Sequence, residues 1–161
     1  MLNQYFLSCP RGLEEITKNQ ISDFIDTPIT LDKGGIHFSG TTKDMYMTNL
    51  YSRTGMRLLK KLFSFSINKP NDLYNSIYNL DWEKIITVNK TFSIRTKLKT
   101  HIFTNSSITT LKIKDAIVDN IRKKFGSRPS INKIDPDVAL FVFINDKSIT
   151  IYLNTSGDPL F

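Results

Sequence analysis

The run Val138-Ala139-Leu140-Phe141-Val142-Phe143-Ile144 decides the fold of the C-terminal half of this chain. A continuous apolar run of this length, bounded by polar residues, predicts a central β-strand that is buried on both faces. Asn145-Asp146-Lys147 predicts a turn, after which Ile149-Thr150-Ile151-Tyr152-Leu153 returns as a second strand. The C-terminal half is therefore expected to contain a sheet with a hairpin.

A long amphipathic helix precedes this hairpin. Asn105-Ser106-Ser107 supplies cap residues at its start, and Gly126 is a natural stop. Residues 91–96 alternate like a further strand, and Asp72 is a candidate cap for a helix that runs to about residue 79. The apolar residues that recur at helical spacing in the long helix are Ile108, Leu111, Ala116, Ile117, Val118, Ile121 and Phe125.

The N-terminal half predicts the element order β-α-β-β-α-β. Strands are expected near residues 5–9, 29–31, 36–38 and 57–67, with a helix after the first strand and another after the third. Lys33-Gly34-Gly35 predicts a hairpin turn. The candidates for the buried face of the second helix are Met45, Leu50 and Tyr51. This order predicts a split βαβ, ferredoxin-like unit.

A weak boundary near residues 68–70 separates the two halves. We expect a ferredoxin-like domain at residues 1–67 and a second, α/β domain at residues 68–157. The chain has 161 residues, of which 40% are hydrophobic and eleven are Phe. That composition can furnish a core for one domain or for two small ones.

Charge is distributed unevenly along the chain. Residues 53–133 hold seventeen Lys and Arg against five acids, a net charge of +12, whereas the segments before and after carry −2 and −3. A cationic block of this kind attracts polyanions, because binding of phosphates releases condensed counterions. A solvated, Lys-rich surface is the alternative interpretation.

Several functional classes are disfavoured by composition. The single cysteine excludes an internal disulfide and a Cys-cluster metal site. No apolar run approaches the ~20 residues of a membrane span, and the N-terminus lacks the features of a signal peptide. The expectation is a cytoplasmic protein without a membrane partner.

No group of residues predicts an active site or a metal site. His37 lies in an apolar strand and is expected to be structural, whereas His101 lies in a basic loop. Cys9 precedes a proline on a buried strand and is expected to be inert. Asp135-Pro136-Asp137 is better explained as a turn than as a metal pair. We therefore expect no catalytic residue in this chain.

Basic residues in the second half form the candidate RNA site. Three alternate along one predicted strand and therefore share a face, five come from the long helix, and one follows in the next loop. Together they could form one strip along a phosphate backbone. The predicted contacts are Arg95, Lys97, Lys99, Lys112, Lys114, Arg122, Lys123, Lys124 and Arg128.

Two observations qualify this site. Asp115 and Asp119 could pair with neighbouring lysines and weaken the strip. A further group near the boundary, which could bind RNA or hold the two domains together, comprises Arg53, Arg57, Lys60 and Lys61. Most Phe residues are expected in the core, so no aromatic stacking platform is predicted. This favours recognition of structured RNA by shape and backbone.

Six segments, in order, resemble the N-terminal region of bacterial THUMP-containing RNA methyltransferases. The segments are Cys9-Pro10-Arg11-Gly12-Leu13-Glu14-Glu15, Gly34-Gly35-Ile36-His37-Phe38, Tyr51-Ser52-Arg53-Thr54-Gly55-Met56-Arg57-Leu58, Lys112-Ile113-Lys114-Asp115-Ala116-Ile117-Val118-Asp119, Arg128-Pro129 with Asp135-Pro136-Asp137-Val138, and Thr155-Ser156-Gly157-Asp158-Pro159-Leu160. The resemblance covers essentially the whole chain. The relatives that it indicates are the enzymes that make N2-methylguanosine in large-subunit ribosomal RNA, often labelled N6-adenine-specific DNA methylases.

The resemblance implies a ferredoxin-like domain followed by a THUMP domain that presents structured RNA, ribosomal RNA first, to a methyltransferase domain in cis. That catalytic domain would use S-adenosylmethionine. The chain ends at Phe161, before the basic stretch and the catalytic motif of the family. We therefore expect neither methyltransferase activity nor an S-adenosylmethionine site in these 161 residues.

Two alternatives remain. THUMP domains also occur in enzymes that modify transfer RNA, so the chain could be an arm of such an enzyme. It could also be mainly a protein-interaction module, in which case the cationic block would be surface or interface.

Overall fold

The structure is a computed structural model of the chain and describes residues 2–156. The strands are β1 (Asn3–Ser8), β2 (Thr30–Asp32), β3 (Gly35–Gly40), β4 (Leu58–Ser66), β5 (Thr91–Lys99), β6 (Ser130–Ile131), β7 (Val138–Asn145) and β8 (Ser148–Asn154). The helices are α1 (Glu14–Ile21), α2 (Thr42–Tyr51), α3 (Asp72–Tyr78) and α4 (Ser106–Phe125), with a short 3-10 turn at Trp82–Lys84. Of the described residues, 2–61 with 153–156 form one compact unit and 62–152 form another.

The first unit confirms the predicted β-α-β-β-α-β order and the ferredoxin-like fold. Its strands lie in the order β2-β3-β1-β4, and all neighbours are antiparallel. Tyr5 of β1 lies opposite Phe38 of β3 on one side and Lys60 of β4 on the other. Gly34, at φ +75°, makes the predicted hairpin turn between β2 and β3.

One face of this sheet and the two helices enclose an apolar core. The Tyr5 and Phe38 rings stack within it, with centroids 5.6 Å apart. Partly buried Phe24, Ile29 and Met45 pack against the core. Its buried members are Tyr5, Leu7, Ile21, Ile25, Ile36, Phe38 and Leu58.

The predicted buried face of α2 is wrong in two of its three residues. Met45 packs against the core, but Leu50 is 71% exposed and Tyr51 is 55% exposed. Thr48 is buried instead. Its hydroxyl donates to the backbone carbonyl of Asp44 at 2.8 Å, so this polar side chain is satisfied without water.

The second unit is a mixed α/β sheet. Its strands follow the order β4-β8-β7-β5-β6, with the residues of β4 from Leu62 onward belonging to this unit. β5 pairs in parallel with β7 and with the two-residue strand β6, which the sequence did not predict. The α4 segment makes the crossover that parallel pairing requires.

Helices α3 and α4 cover one face of this sheet. Thr110 of α4 donates to Thr96 of β5 at 2.8 Å, and Trp82 donates its indole N–H to the carbonyl of Ile77 at 2.7 Å. The fully buried members of this core include Leu73, Ile77, Trp82, Ile86, Phe92, Ile113, Ile117, Ile121, Leu140, Val142, Ile144, Ile149 and Ile151.

Burial on α4 differs from the predicted apolar stripe. Ile108, Leu111 and Phe125 are each more than half exposed, whereas Thr109 and Asn120 are buried. Thr109 donates to the Asn105 carbonyl at 2.8 Å, and the Asn120 amide donates to the carbonyls of Tyr78 and Leu80. The Thr109 hydroxyl and the Asn120 amide nitrogen thus find partners inside the unit, although the buried Asn120 Oδ1 has none among the described residues, and three apolar residues remain at the surface.

The sequence predicted that β7 is buried on both faces, and this prediction is wrong. Val138, Leu140, Val142 and Ile144 are buried, whereas the alternate residues Ala139, Phe141 and Phe143 are only half-buried. A strand sends successive side chains to opposite faces, and the helices of the second unit cover one of them. A continuous apolar run therefore leaves two aromatic rings on the other face.

No helix within residues 2–156 is both long enough and apolar enough to cross a membrane.

Candidate nucleic-acid interface

A row of three cations lies along β5. Arg95, Lys97 and Lys99 are exposed, and they alternate with half-buried Thr96 and Leu98. Since α4 contacts the Thr96 side of the strand, the cations occupy the face away from α4. We call these three residues the sheet row.

The sheet row is free of carboxylates. No ion pair within residues 2–156 involves Arg95, Lys97 or Lys99. No residue of β5, β7 or β8 is acidic; the nearest acid at one end is Asp146, whose backbone N–H donates to the Lys99 carbonyl at 2.8 Å. Three uncompensated cations on one face give a local positive potential that favours a phosphate backbone.

The helix cluster comprises the basic residues of α4: Lys112, Lys114, Arg122, Lys123 and Lys124. Asn105 caps α4 by accepting the N–H of Ile108 at 3.0 Å, and Gly126 ends it at φ +75°. Both termini are therefore where the sequence predicts them, and the basic residues of the last turn complement the helix dipole.

Acids neutralise much of the helix cluster. Lys114 pairs with Asp115 at 3.1 Å and Arg122 with Asp119 at 2.8 Å. The ammonium of Lys124 lies 3.3 Å from Glu83 and 4.0 Å from Asp81. Asp115 thus pairs with a lysine, as the sequence predicts, whereas Asp119 pairs with an arginine. Exposed pairs of this kind are weak and open to competition from phosphate.

Asp81 also anchors the 3-10 turn beside α4. Its hydrogen bond with Lys84, at 3.0 Å, is the main cause that lowers the Asp81 pKa and raises the Lys84 pKa. Both side chains are largely in solvent, so this pair contributes charge balance at the end of α4 and little stability.

The sheet row and the helix cluster do not share one face of the sheet. The row lies on the side of β5 away from α4, while the cluster belongs to the helix on the opposite side. Arg128, in the loop after α4, is exposed. The basic residues therefore form two separate surfaces and not the single strip that the sequence predicted. Acidic side chains pair with the helix cluster but not, within the described residues, with the sheet row.

The boundary group lies in the first unit, near the start of β4. Arg53 and Lys61 are exposed, and Arg57 and Lys60 are half-buried. The Gln20 side chain accepts the backbone N–H groups of Arg53 and Thr54 at 2.9 and 3.1 Å, which fixes this turn. Arg53 is thus held at the surface of the first unit by this turn, and Lys61 is exposed on β4.

The two histidines and the cysteine lie in three different settings. His37 Nε2 lies 3.0 Å from an Asp32 carboxylate oxygen, and its ring lies 4.7 Å from that of Phe6. Cys9 is buried, and burial raises the pKa of its thiol, which disfavours the reactive thiolate. His101 is an exposed loop residue.

The acidic residues Asp137 and Asp119 both accept hydrogen bonds that have a structural role. Asp137 accepts the Thr91 backbone N–H at 2.8 Å and its hydroxyl at 3.2 Å, as a turn before β7 requires. Tyr74 donates to Asp119, which raises the pKa of Tyr74 to about 12 and joins α3 to α4. Within the described part of the chain, no group of three potential metal ligands comes together.

The sequence did not identify the aromatic residues beside the sheet row. Phe143 lies directly opposite Lys97 in the parallel register, and the Lys97 ammonium is 5.9 Å from the centre of its ring. The alternation of side chains along a strand could have identified this pairing, because Phe141 and Phe143 are two residues apart and therefore lie on the same face of β7. The unbroken apolar character of residues 138–144 concealed the alternation.

The fold defines a module of two α/β units with a basic segment between mildly acidic ends. Residues 68–154, slightly over half of the chain, match the THUMP domain. Residues 4–59 match the RlmL ferredoxin-like domain. The chain belongs to the THUMP-domain family.

Similar proteins are much longer than this chain. It is 33% identical over 159 residues to the ribosomal RNA large subunit methyltransferase K/L of Buchnera aphidicola subsp. Schizaphis graminum, covering 99% of this chain but 23% of that protein. A structure from Clostridium difficile 630, described as a possible methylase, matches at 19% identity and TM-score 0.83, over 99% of this chain and 42% of its own.

A second solved structure shows the same fold. It is described as a predicted N6-adenine-specific DNA methylase from Listeria monocytogenes, and it matches at 19% identity and TM-score 0.81, again over 99% of this chain and 42% of the other. At this identity the likeness establishes the fold of the two units and nothing about substrate.

Proposed function

We propose that this chain is the RNA-binding module of a methyltransferase that modifies large-subunit ribosomal RNA. It would capture structured RNA for guanine-N2 methylation by a catalytic domain that this sequence does not contain. The observation that carries the proposal is the sheet row, three exposed cations on β5. Neither β5 nor the strands β7 and β8 contain an acidic residue. The 33% identical relative is named for ribosomal RNA methylation and supports this substrate class.

The chemistry of methyl transfer is assigned to the catalytic domain. S-adenosylmethionine would supply the methyl group there, and we expect these 161 residues to bind the target without holding that cofactor. Calorimetric titration of the chain with S-adenosylmethionine should give no binding heat. Micromolar affinity would contradict this division of roles.

The role of the sheet row is phosphate contact. Phosphate contacts fix position and orientation without reading sequence, and each one makes affinity fall with salt. Lys112, Lys123 and Arg128 remain candidates on the helix side, since they lack ion pairs with acids within the described residues. The paired residues Lys114, Arg122 and Lys124 would have to exchange a carboxylate for a phosphate.

One observation favours a second function as a protein-interaction module. Tyr46, Leu50 and Tyr51 on α2 are 65%, 71% and 55% exposed. Large apolar side chains grouped on one helix indicate a contact surface. This surface belongs to the first unit, whereas the sheet row belongs to the second, so a module could use both.

Fluorescence anisotropy of the chain on a large-subunit ribosomal RNA hairpin tests the proposed function. The unlabelled ribosomal RNA hairpin, transfer RNA and duplex DNA serve as competitors over a series of salt concentrations. The proposal predicts RNA preferred over DNA, a steep loss of affinity with salt, and ribosomal RNA as the better competitor. Preference for transfer RNA would favour an arm of a transfer-RNA-modifying enzyme, and equal, weak binding to all three would contradict RNA recognition.

A further inference from the structure

The face of the second sheet that carries the sheet row also carries aromatic rings. In β7 the buried residues have even numbers, so Phe141 and Phe143 point to the opposite face, where they are half-buried. In β8, Ile149 and Ile151 are buried, which places Tyr152 on that opposite face as well. We call the set Arg95, Lys97, Lys99, Phe141, Phe143 and Tyr152 the outer sheet face.

Cations and rings are adjacent on this face. The parallel register sets Arg95 beside Phe141 and Lys97 beside Phe143. Neighbouring strands lie ~4.8 Å apart, and residues two apart on a strand are separated by ~6.6 Å. Within the outer sheet face, Arg95 and Lys97 of β5 therefore lie side by side with Phe141 and Phe143 of β7, so that a row of cations runs parallel to a row of rings.

This combination fits a single-stranded polyanion better than a duplex. An unpaired base offers a flat surface that can stack on an aromatic ring, while the backbone follows a row of cations. A duplex keeps its bases stacked on one another and therefore offers no open base face to an aromatic ring. Rings on a sheet are a recurring way of holding two or three unpaired bases.

Charge complementarity identifies the class of occupant. A protein or peptide partner of mixed charge would find no carboxylate in β5, β7 or β8 with which its own cations could pair. A nucleic-acid strand needs none. The contact between Lys97 and Phe143 is exposed on the cation side and is therefore weak, so a base can replace the ammonium over the ring while the ammonium moves to the neighbouring phosphate.

We propose that the outer sheet face binds unpaired nucleotides of RNA, with a base stacked on Phe143 and flanking phosphates held by Lys97 and Lys99. This proposal rests on the proposed function and narrows it. Recognition of structured RNA by shape and backbone was expected because no stacking platform was predicted, and the proposal adds capture of a single-stranded segment within that RNA.

Phe143→Leu tests the proposal, because it removes the ring and keeps an apolar side chain. Phe125→Leu is the matched control, since Phe125 is an exposed phenylalanine at the end of α4 and lies outside the outer sheet face. The probes are a fluorescein-labelled, unstructured twelve-nucleotide RNA and the same strand in a duplex. Thermal melts of all three proteins establish that each is folded.

The wild-type chain should prefer the single strand to the duplex. Phe143→Leu should weaken single-strand binding about fivefold or more, which is the lower end of one stacked base, and leave duplex binding unchanged. Phe125→Leu should change neither. Equal loss on both probes, or no loss on the single strand, would overturn the stacking proposal.

A tryptophan variant gives an independent readout. Phe143→Trp keeps a stacking surface, so single-strand affinity should be retained and the new indole fluorescence should be quenched on binding. Absence of quenching would contradict stacking at this position. If wild-type protein binds no RNA at all, the proposed function itself fails; if it binds duplex and single strand equally, only the stacking proposal fails.

Discussion

Gly35 shows how closely two strands of the first unit approach each other. A Cβ placed on Gly35 would lie 2.3 Å from the Phe6 ring and 2.6 Å from the backbone oxygen of Leu7. The backbone oxygen cannot move without disturbing β1, so the position requires glycine for space rather than for its dihedral angles. The two neighbouring glycines are thus needed for different reasons: Gly35 because it has no side chain, and Gly34 because it adopts a positive φ.

Gly35→Ala should lower the free energy of unfolding by about 2–3 kcal/mol through overpacking. Gly126→Ala is the control, since a Cβ there meets nothing within 4 Å and the cost is only that of its φ of +75°, about 1–2 kcal/mol. Urea unfolding of both variants measures the difference. A smaller loss for Gly35→Ala than for Gly126→Ala would contradict the close approach.

Glu14 joins α1 to the β2–β3 hairpin. Its carboxylate accepts the backbone N–H groups of Gly12 at 2.8 Å and Gly34 at 3.1 Å. Hydrogen bonds from its own N–H, Gly34 and Gly12 hold the pKa of this carboxyl below its usual value of 4.5. A pKa lowered in the folded state means that the ionised form stabilises the fold.

The resulting stability is present above pH 4.5 and is lost as pH falls through the lower, folded pKa. Glu14→Gln should therefore unfold at lower urea concentration than the wild type at pH 7, and the gap should narrow as the pH falls below 4.5. Glu15→Gln, at the exposed neighbouring position of the same turn, removes one acid without these bonds. A gap for Glu14→Gln that is independent of pH would refute the role of the ionised carboxylate.

The rotation of α4 can be tested with two isoleucines of that helix. Ile117 is fully buried and Ile108 is 54% exposed, although both belong to the apolar pattern of the sequence. Ile117→Ala should cost about 2–5 kcal/mol of unfolding free energy, whereas Ile108→Ala should change it by about 0.5 kcal/mol or less. Comparable losses in the two variants would mean that the apolar pattern, and not the observed rotation, describes the packing.

Element order was predictable because it depends on periodicity within each segment. The strands of the first unit, the caps of α4 and the outward row on β5 all follow from residues close together in the chain. The orientation of α4 was not, since the burial of Asn120 depends on the carbonyls of Tyr78 and Leu80, which lie about 40 residues earlier in the chain and accept its amide N–H groups. The same dependence on distant neighbours decides which face of β7 the helices cover.

The two-unit organisation was also partly visible in sequence, through the change in element order near residue 68. The boundaries between the two compact units fall within β4 and within β8. The resembling segment 155–160 lies partly outside the described residues, and the predicted domain end at residue 157 lies outside them. Ion pairs could be guessed only within one helix: Asp115 and Asp119 were anticipated, whereas Glu83 as a partner of Lys124 comes from another element.

At the scale of the whole molecule, a net charge of +7 hides a selective arrangement of charge. Acids accompany the basic residues of α4 but not those of β5. If the sheet row is the phosphate-binding surface, affinity should depend on these few cations and not on total charge. Net charge alone would produce the same loss wherever two cations were reversed.

The most direct test compares two doubly charge-reversed proteins of equal net charge on the ribosomal RNA hairpin over a salt series. Lys97→Glu/Lys99→Glu removes two cations of the sheet row, and Lys33→Glu/Lys43→Glu removes two exposed cations of the first unit. The sheet-row variant should bind more weakly and reduce the slope of log affinity against log salt by about 1.5–2. The first-unit variant should keep nearly the wild-type slope. Equal slopes in the two variants would show that the sheet row is not the RNA-binding surface.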